Sequence, residues 1–122
     1  MAQLLFIAGG GALGALLRYG MSMSIHILFG RGFPYGTLTV NVTGSILMGL
    51  LYVCLSEYMD MPWRDGLLIG LLGAFTTFST FSIETLHLLE TSHPVLALMN
   101  IILSVTLCIA GCWIGIAIGR AL

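Results

Sequence analysis

Gly73-Ala74-Phe75-Thr76-Thr77-Phe78-Ser79-Thr80-Phe81-Ser82 places five hydroxyls and three phenylalanines where an otherwise apolar segment crosses its middle. A lipid-facing helix has no use for that composition. In hydrocarbon each unpartnered hydroxyl or peptide group costs several kcal/mol, so such a cluster must bond within protein or line a wet cavity. Phe75, Phe78 and Phe81 recur every third residue and share one side of a helix or 3₁₀ turn, with hydroxyls between them. Gly73 opens the run, and the segment is expected to break its helix and offer bare backbone groups.

The surrounding chain fixes the class. Of 122 residues, 58% are hydrophobic and 7% charged, and mean hydropathy is +1.06. A soluble domain carries roughly 25% charge, so this is an all-α integral membrane protein of one domain, residues 1–122, in contact with lipid. Four arginines, no lysine and five acids give a net charge of −1. No basic stripe for nucleic acid exists. Cys54, Cys108 and Cys112 are odd in number and set in apolar surroundings, which reads as buried thiols and not as a disulfide or metal framework.

Four spans are expected, at about 3–28, 37–58, 66–90 and 95–119, the third broken near its middle. The first has no basic n-region or clear Ala-x-Ala site and reads as a permanent span. Its Gly10/Gly14 pair has GxxxG spacing, which serves a second helix or packing within the chain. Arg18 interrupts it, either snorkelling outward or facing an aqueous vestibule. Gly30 to Gly36 reads as a loop. Asn41 near the start of the second span is either glue between helices or pore lining. Asp60, Pro62, Arg64 and Asp65 form a polar connection. In the third span Glu84 and His87 share a face beyond the break. The fourth carries Gly111, Gly115 and Gly119 on a packing stripe. Asn100, Ser104 and Cys108 make a polar row, either interhelical glue or the wall of a narrow path.

Four spans put both termini on one side. Arg64 and Arg120 then lie on one side and Arg31 on the other, a bias weak enough to predict insertion in both orientations and an antiparallel homodimer.

Gly10 to Tyr19, Gly36 to Asn41 and Gly73 to Phe81, in this order and spacing, resemble the CrcB or Fluc fluoride channels over the whole chain. The resemblance implies a multi-pass protein of the bacterial inner membrane, an antiparallel homodimer with two pathways that exports cytoplasmic fluoride passively. It implies a structural sodium ion on the dimer axis, held by backbone carbonyls of Gly73 and Thr76. Phe78 and Phe81 would be the pathway rings, with Asn41, Ser79, Thr80 and Ser104 as donors. Arg18 would line the vestibule and Glu84 the route past the rings. Asn100 and Cys108 stand where relatives often carry tyrosine and serine.

Apart from the resemblance, fluoride is small and tightly hydrated, so a selective pore must replace its water with close donors. A phenylalanine meets an anion only through its positive edge. The competing reading is a small four-span multidrug or cation exporter, which needs a membrane-embedded carboxylate, and the first span has none. An enzyme is not expected, since no nucleophile, base and orienter can be read.

Overall fold

The computed structural model describes residues 1–122. Its helices are α1 (Ala2–Phe29), α2 (Tyr35–Cys54), α3 (Pro62–Asp65), a π-helical stretch (Gly66–Leu72), α4 (Gly73–Phe75), α5 (Phe78–Glu90) and α6 (Pro94–Ala121). The stretch Pro62–Glu90 joins α1, α2 and α6 as one of four segments long and apolar enough to cross a membrane.

The boundaries follow local chemistry. Gly30 ends α1 at φ 79°, a left-handed value that glycine adopts without a Cβ penalty. Pro62 and Pro94 occupy the first turns of α3 and α6, where the missing N–H has no helical partner to lose. Thus Pro62, Arg64 and Asp65, expected as connection, already belong to the third segment. The second helix stops at Cys54, short of Glu57, because Leu55 leaves helical geometry (φ −103°, ψ 14°) and a 3₁₀ turn, Ser56–Tyr58, follows. Tyr58 and Trp63 then pack with ring centroids 5.4 Å apart.

Packing depends on bare backbone more than on large side chains. A Cβ at Gly14 would overlap the Leu71 carbonyl oxygen, and one at Gly10 that of Gly66. The Gly10/Gly14 pair therefore serves packing within this chain, drawing α1 onto the π-helical stretch. α2 and α6 make the most extensive helix pair. At Gly115 the Ile46 carbonyl oxygen leaves no room for a Cβ. Such close approach replaces hydrophobic burial as the source of cohesion where the solvent is itself apolar.

The exterior confirms the environment. Only 22 of 122 residues are buried, whereas Leu5, Leu16, Ile27, Phe78, Ile109 and Trp113 all lie mostly exposed. Thr37, Thr77, Thr85, Asn100 and Ser104 are buried instead. Large apolar side chains cover the outside, while these polar groups are withdrawn among Val40, Leu72, Phe81 and other buried apolar residues, as lipid requires.

Candidate functional site

The third segment changes conformation at two threonines. Thr76 (φ −81°, ψ 158°) and Thr77 (φ −152°, ψ 118°) have extended backbone between α4 and α5. Gly73 itself is helical (φ −63°, ψ −36°), so the change falls three residues after the glycine.

Leaving the helix strips backbone groups of their ladder partners, and the structure supplies replacements. Asn41 donates from Nδ2 to the Thr77 carbonyl at 2.9 Å and accepts the Thr77 N–H on Oδ1 at 2.7 Å. One amide thus satisfies both backbone groups of Thr77, while a second Nδ2 proton remains for another acceptor. Thr77 also caps α5. Its Oγ1 accepts the Thr80 N–H at 3.3 Å and donates to Thr80 Oγ1 at 3.0 Å, with Ser79 Oγ 3.4 Å away. The Thr76 hydroxyl turns back to the Leu72 carbonyl at 3.1 Å.

Beside this interruption lies an open groove of about 410 Å³. Asn41, Phe78, Phe81 and Ser104, four of the residues picked out in the sequence, line it together with Thr76, Thr77 and Cys108. The rings of Phe78 and Phe81 lie 5.3 Å apart at an interplanar angle of 45°. Their environments differ: Phe81 is 9% exposed and Phe78 77%. Ser79 and Thr80 do not line the groove and reach it only through Thr77.

Behind the groove α5 and α6 are joined by a polar chain. Asn100, 1% exposed, donates to Thr85 Oγ1 at 2.8 Å and accepts from Ser104 Oγ at 3.3 Å. Thr85 Oγ1 in turn donates to the Phe81 carbonyl at 2.7 Å. Asn100 is therefore interhelical glue, whereas Ser104 also faces the groove.

Glu84 lies elsewhere. It accepts the Thr37 hydroxyl at 2.9 Å and lines a second groove, of about 420 Å³, with His26, Arg31, His87 and Glu90. Its Oε2 and His26 Nδ1 are buried without hydrogen-bond partners. Arg18 lines neither groove and pairs with no carboxylate, since the one ion pair, Arg64 to Asp65, spans 3.8 Å at the start of the third segment.

The sequence reading missed Thr37, Thr77 as the residue clamped by Asn41, and Thr85. A signal for the first existed. Thr37, Asn41 and Ser45 stand four apart on α2, a polar row like the one recognised on α6, and Ser45 Oγ donates to the Asn41 carbonyl at 2.7 Å. The expectation of three buried thiols also needs correction: Cys54 is exposed, and Cys108 and Cys112 are half-buried beside the first groove. Apolar neighbours in sequence do not by themselves bury a residue, because burial needs another helix packed over that face.

A family described as CrcB-like protein, Camphor Resistance (CrcB), matches residues 5–116. A protein of Coxiella burnetii (strain CbuK_Q154) called fluoride-specific ion channel FluC is 51% identical over the full length of both chains. One of the same name from Alteromonas mediterranea is 50% identical over 95% of this chain and 93% of its own. A third, from Magnetococcus marinus, is 45% identical over 97% of this chain and 98% of its own.

Proposed function

The chain belongs to the CrcB family, and on that premise we propose that it is a fluoride-specific ion channel through which cytoplasmic fluoride leaves passively. It is a channel and not an enzyme. The observation that carries the reading is one groove in which Asn41, Phe78, Phe81 and Ser104 meet beside the extended backbone of Thr76 and Thr77.

The chemistry suits a small, strongly hydrated anion. Ser104 offers a hydroxyl and Asn41 a second amide proton, so donors can take over from water as the ion is stripped. The edges of Phe78 and Phe81 are weakly positive and release what they hold. α5 also begins at the groove, and its first N–H groups favour negative charge there. Ser79 and Thr80 act by fixing Thr77. Glu84 and Thr37 stand along the route outside the rings, and Arg18 belongs to a vestibule whose other wall is a second subunit.

The same interruption fits a sodium ion bound by carbonyls. The Thr77 N–H, which a continuous helix would give to the Gly73 carbonyl, goes to Asn41 instead. The Thr76 carbonyl accepts no hydrogen bond, and a Cβ at Gly73 would meet nothing nearer than 3.8 Å. Open acceptors on an uncrowded surface suit a cation shared between two copies across a two-fold axis. We take the working unit as an antiparallel, dual-topology homodimer with two pathways, in a bacterial inner membrane, with the third span acting as a broken helix. Two lysines added to the 59–65 loop should fix one orientation and silence the protein alone, and an oppositely biased partner should restore it.

A proton-coupled exporter is not favoured, since α1 holds no carboxylate. The deciding experiment is efflux from liposomes loaded with fluoride, chloride or an organic cation. Fluoride alone should leave; equal chloride efflux or proton-coupled cation efflux would overturn the reading.

A further inference from the structure

The groove at the interruption also gathers three sulfur atoms. Cys108 and Cys112 stand four apart on α6 and line it, and Met48 lines it from α2. Both cysteines are free thiols. Residues four apart on a helix hold their Cβ atoms about 5–6 Å from each other, so two sulfurs can converge on one ion. The third is held at the same level. A Cβ at Gly49, the neighbour of Met48, would overlap the Cys112 carbonyl oxygen, so α2 and α6 are in backbone contact there.

We propose that Cys108 and Cys112, assisted by Met48, form a site for a soft d¹⁰ monovalent cation such as silver(I), and that its occupation closes the groove to anions. Thiolate and thioether sulfur selects such ions, whereas hard cations want carboxylate, carbonyl or water oxygen. The groove contains no carboxylate or imidazole side chain. Two thiols and a thioether also fall short of the four-coordinate nitrogen and sulfur set of a structural zinc site. Fluoride is a hard donor and does not compete for the sulfurs, so block and transport can be measured in one solution. On binding, each thiol passes its proton to water as its sulfur bonds the metal; no electrons are transferred. Two thiolates around a single positive charge leave the site negative. The bound ion therefore obstructs the groove and also repels an anion.

The effect on transport rests on the reading of this groove as the fluoride pathway; the binding does not. Cys54→Ser protein, freed of the exposed thiol, titrated with silver nitrate in chloride-free detergent solution and then desalted should retain about one silver ion per chain, measured by mass spectrometry. The same preparations in liposomes should lose fluoride efflux by about tenfold or more, with recovery after excess dithiothreitol. Added to that background, Cys108→Ser and Cys112→Ser should each lose silver retention, and the efflux of each, compared with its own silver-free value, should ignore silver. Wild-type protein should show the same block and at most one further retained silver ion, on the exposed Cys54 thiol. If a serine variant does not fold, Cys54→Ser protein treated with methyl methanethiosulfonate should fail to retain silver. Retention and block that survive in both Cys108→Ser and Cys112→Ser, or in the thiol-capped protein, overturn the site. Retention lost in those variants but with undiminished wild-type efflux leaves the sulfurs as a silver site and overturns both the occlusion and the placement of the pathway in this groove.

Discussion

Two grooves of this molecule are of similar volume and opposite chemistry. The one beside Thr76 and Thr77 is lined by neutral groups, with amide, hydroxyl and thiol side chains set among apolar ones and two aromatic rings. The one beside Glu84 contains His26, Arg31, His87 and Glu90 as well. A full charge facing an ion deep in hydrocarbon either binds it too tightly to release or repels it, whereas dipoles and ring edges hold it loosely. Charge is useful where water still screens it, at a mouth, for gathering and orienting ions. On the proposed reading the molecule separates collecting an anion from desolvating it, and five substitutions test that division.

The largest effect belongs to Asn41→Leu. It removes both partners of Thr77 and leaves an N–H and a carbonyl unsatisfied in the interior, at about 1–3 kcal/mol each. Loss of folded protein on gel filtration, or of efflux in what survives, is expected. Wild-type thermal stability and efflux would show that the clamp contributes nothing.

Next come Phe81→Ile and Phe78→Ile. Isoleucine keeps apolar volume but has no positive edge, and each 1.4 kcal/mol added to a barrier slows passage about tenfold. Both should slow fluoride efflux by about that factor. Their stabilities should differ, because Phe81 is 9% and Phe78 77% exposed: Phe81→Ile is expected to lose up to about 1.5 kcal/mol and Phe78→Ile almost none. If stability falls equally in both while efflux is untouched, the rings are packing only.

A smaller change is expected for Glu84→Gln, which still accepts the Thr37 hydroxyl but carries no charge. Efflux should shift by less than about tenfold with folding intact, because the substitution alters approach and not desolvation. A loss larger than that of Phe81→Ile would erase the distinction between the grooves.

The smallest effect is that of Arg31→Gln. Arg31 is exposed, and its contact with Met23 sulfur is long at 3.9 Å. Efflux at low salt should fall by about twofold or less and the difference should vanish at high salt, as screening requires. A salt-independent loss would assign Arg31 a direct contact with the ion.

Composition and periodicity alone were enough for the all-helical class, the four apolar segments and the glycine stripe of α6, because lipid compatibility and close backbone approach are properties of residue type and spacing. The polar residues that matter could also be named, since an amide or hydroxyl among apolar neighbours is conspicuous. Their partners could not. Asn41 and Thr77 are 36 residues apart and Thr37 and Glu84 47 apart, and nothing local says which amide meets which peptide. Helix packing decided that Asn41 clamps the interruption, that Asn100 ties α5 to α6, and that Glu84 stands in a groove apart from Phe81. It also decided that Cys54 is exposed and that Cys108 and Cys112 line the groove. The physical reason is one of range: whether a segment suits a membrane is a sum over its own residues, but hydrogen-bond pairing depends on the rotation and depth of each helix against its neighbours, which only the close contacts at Gly10, Gly14, Gly49 and Gly115 set.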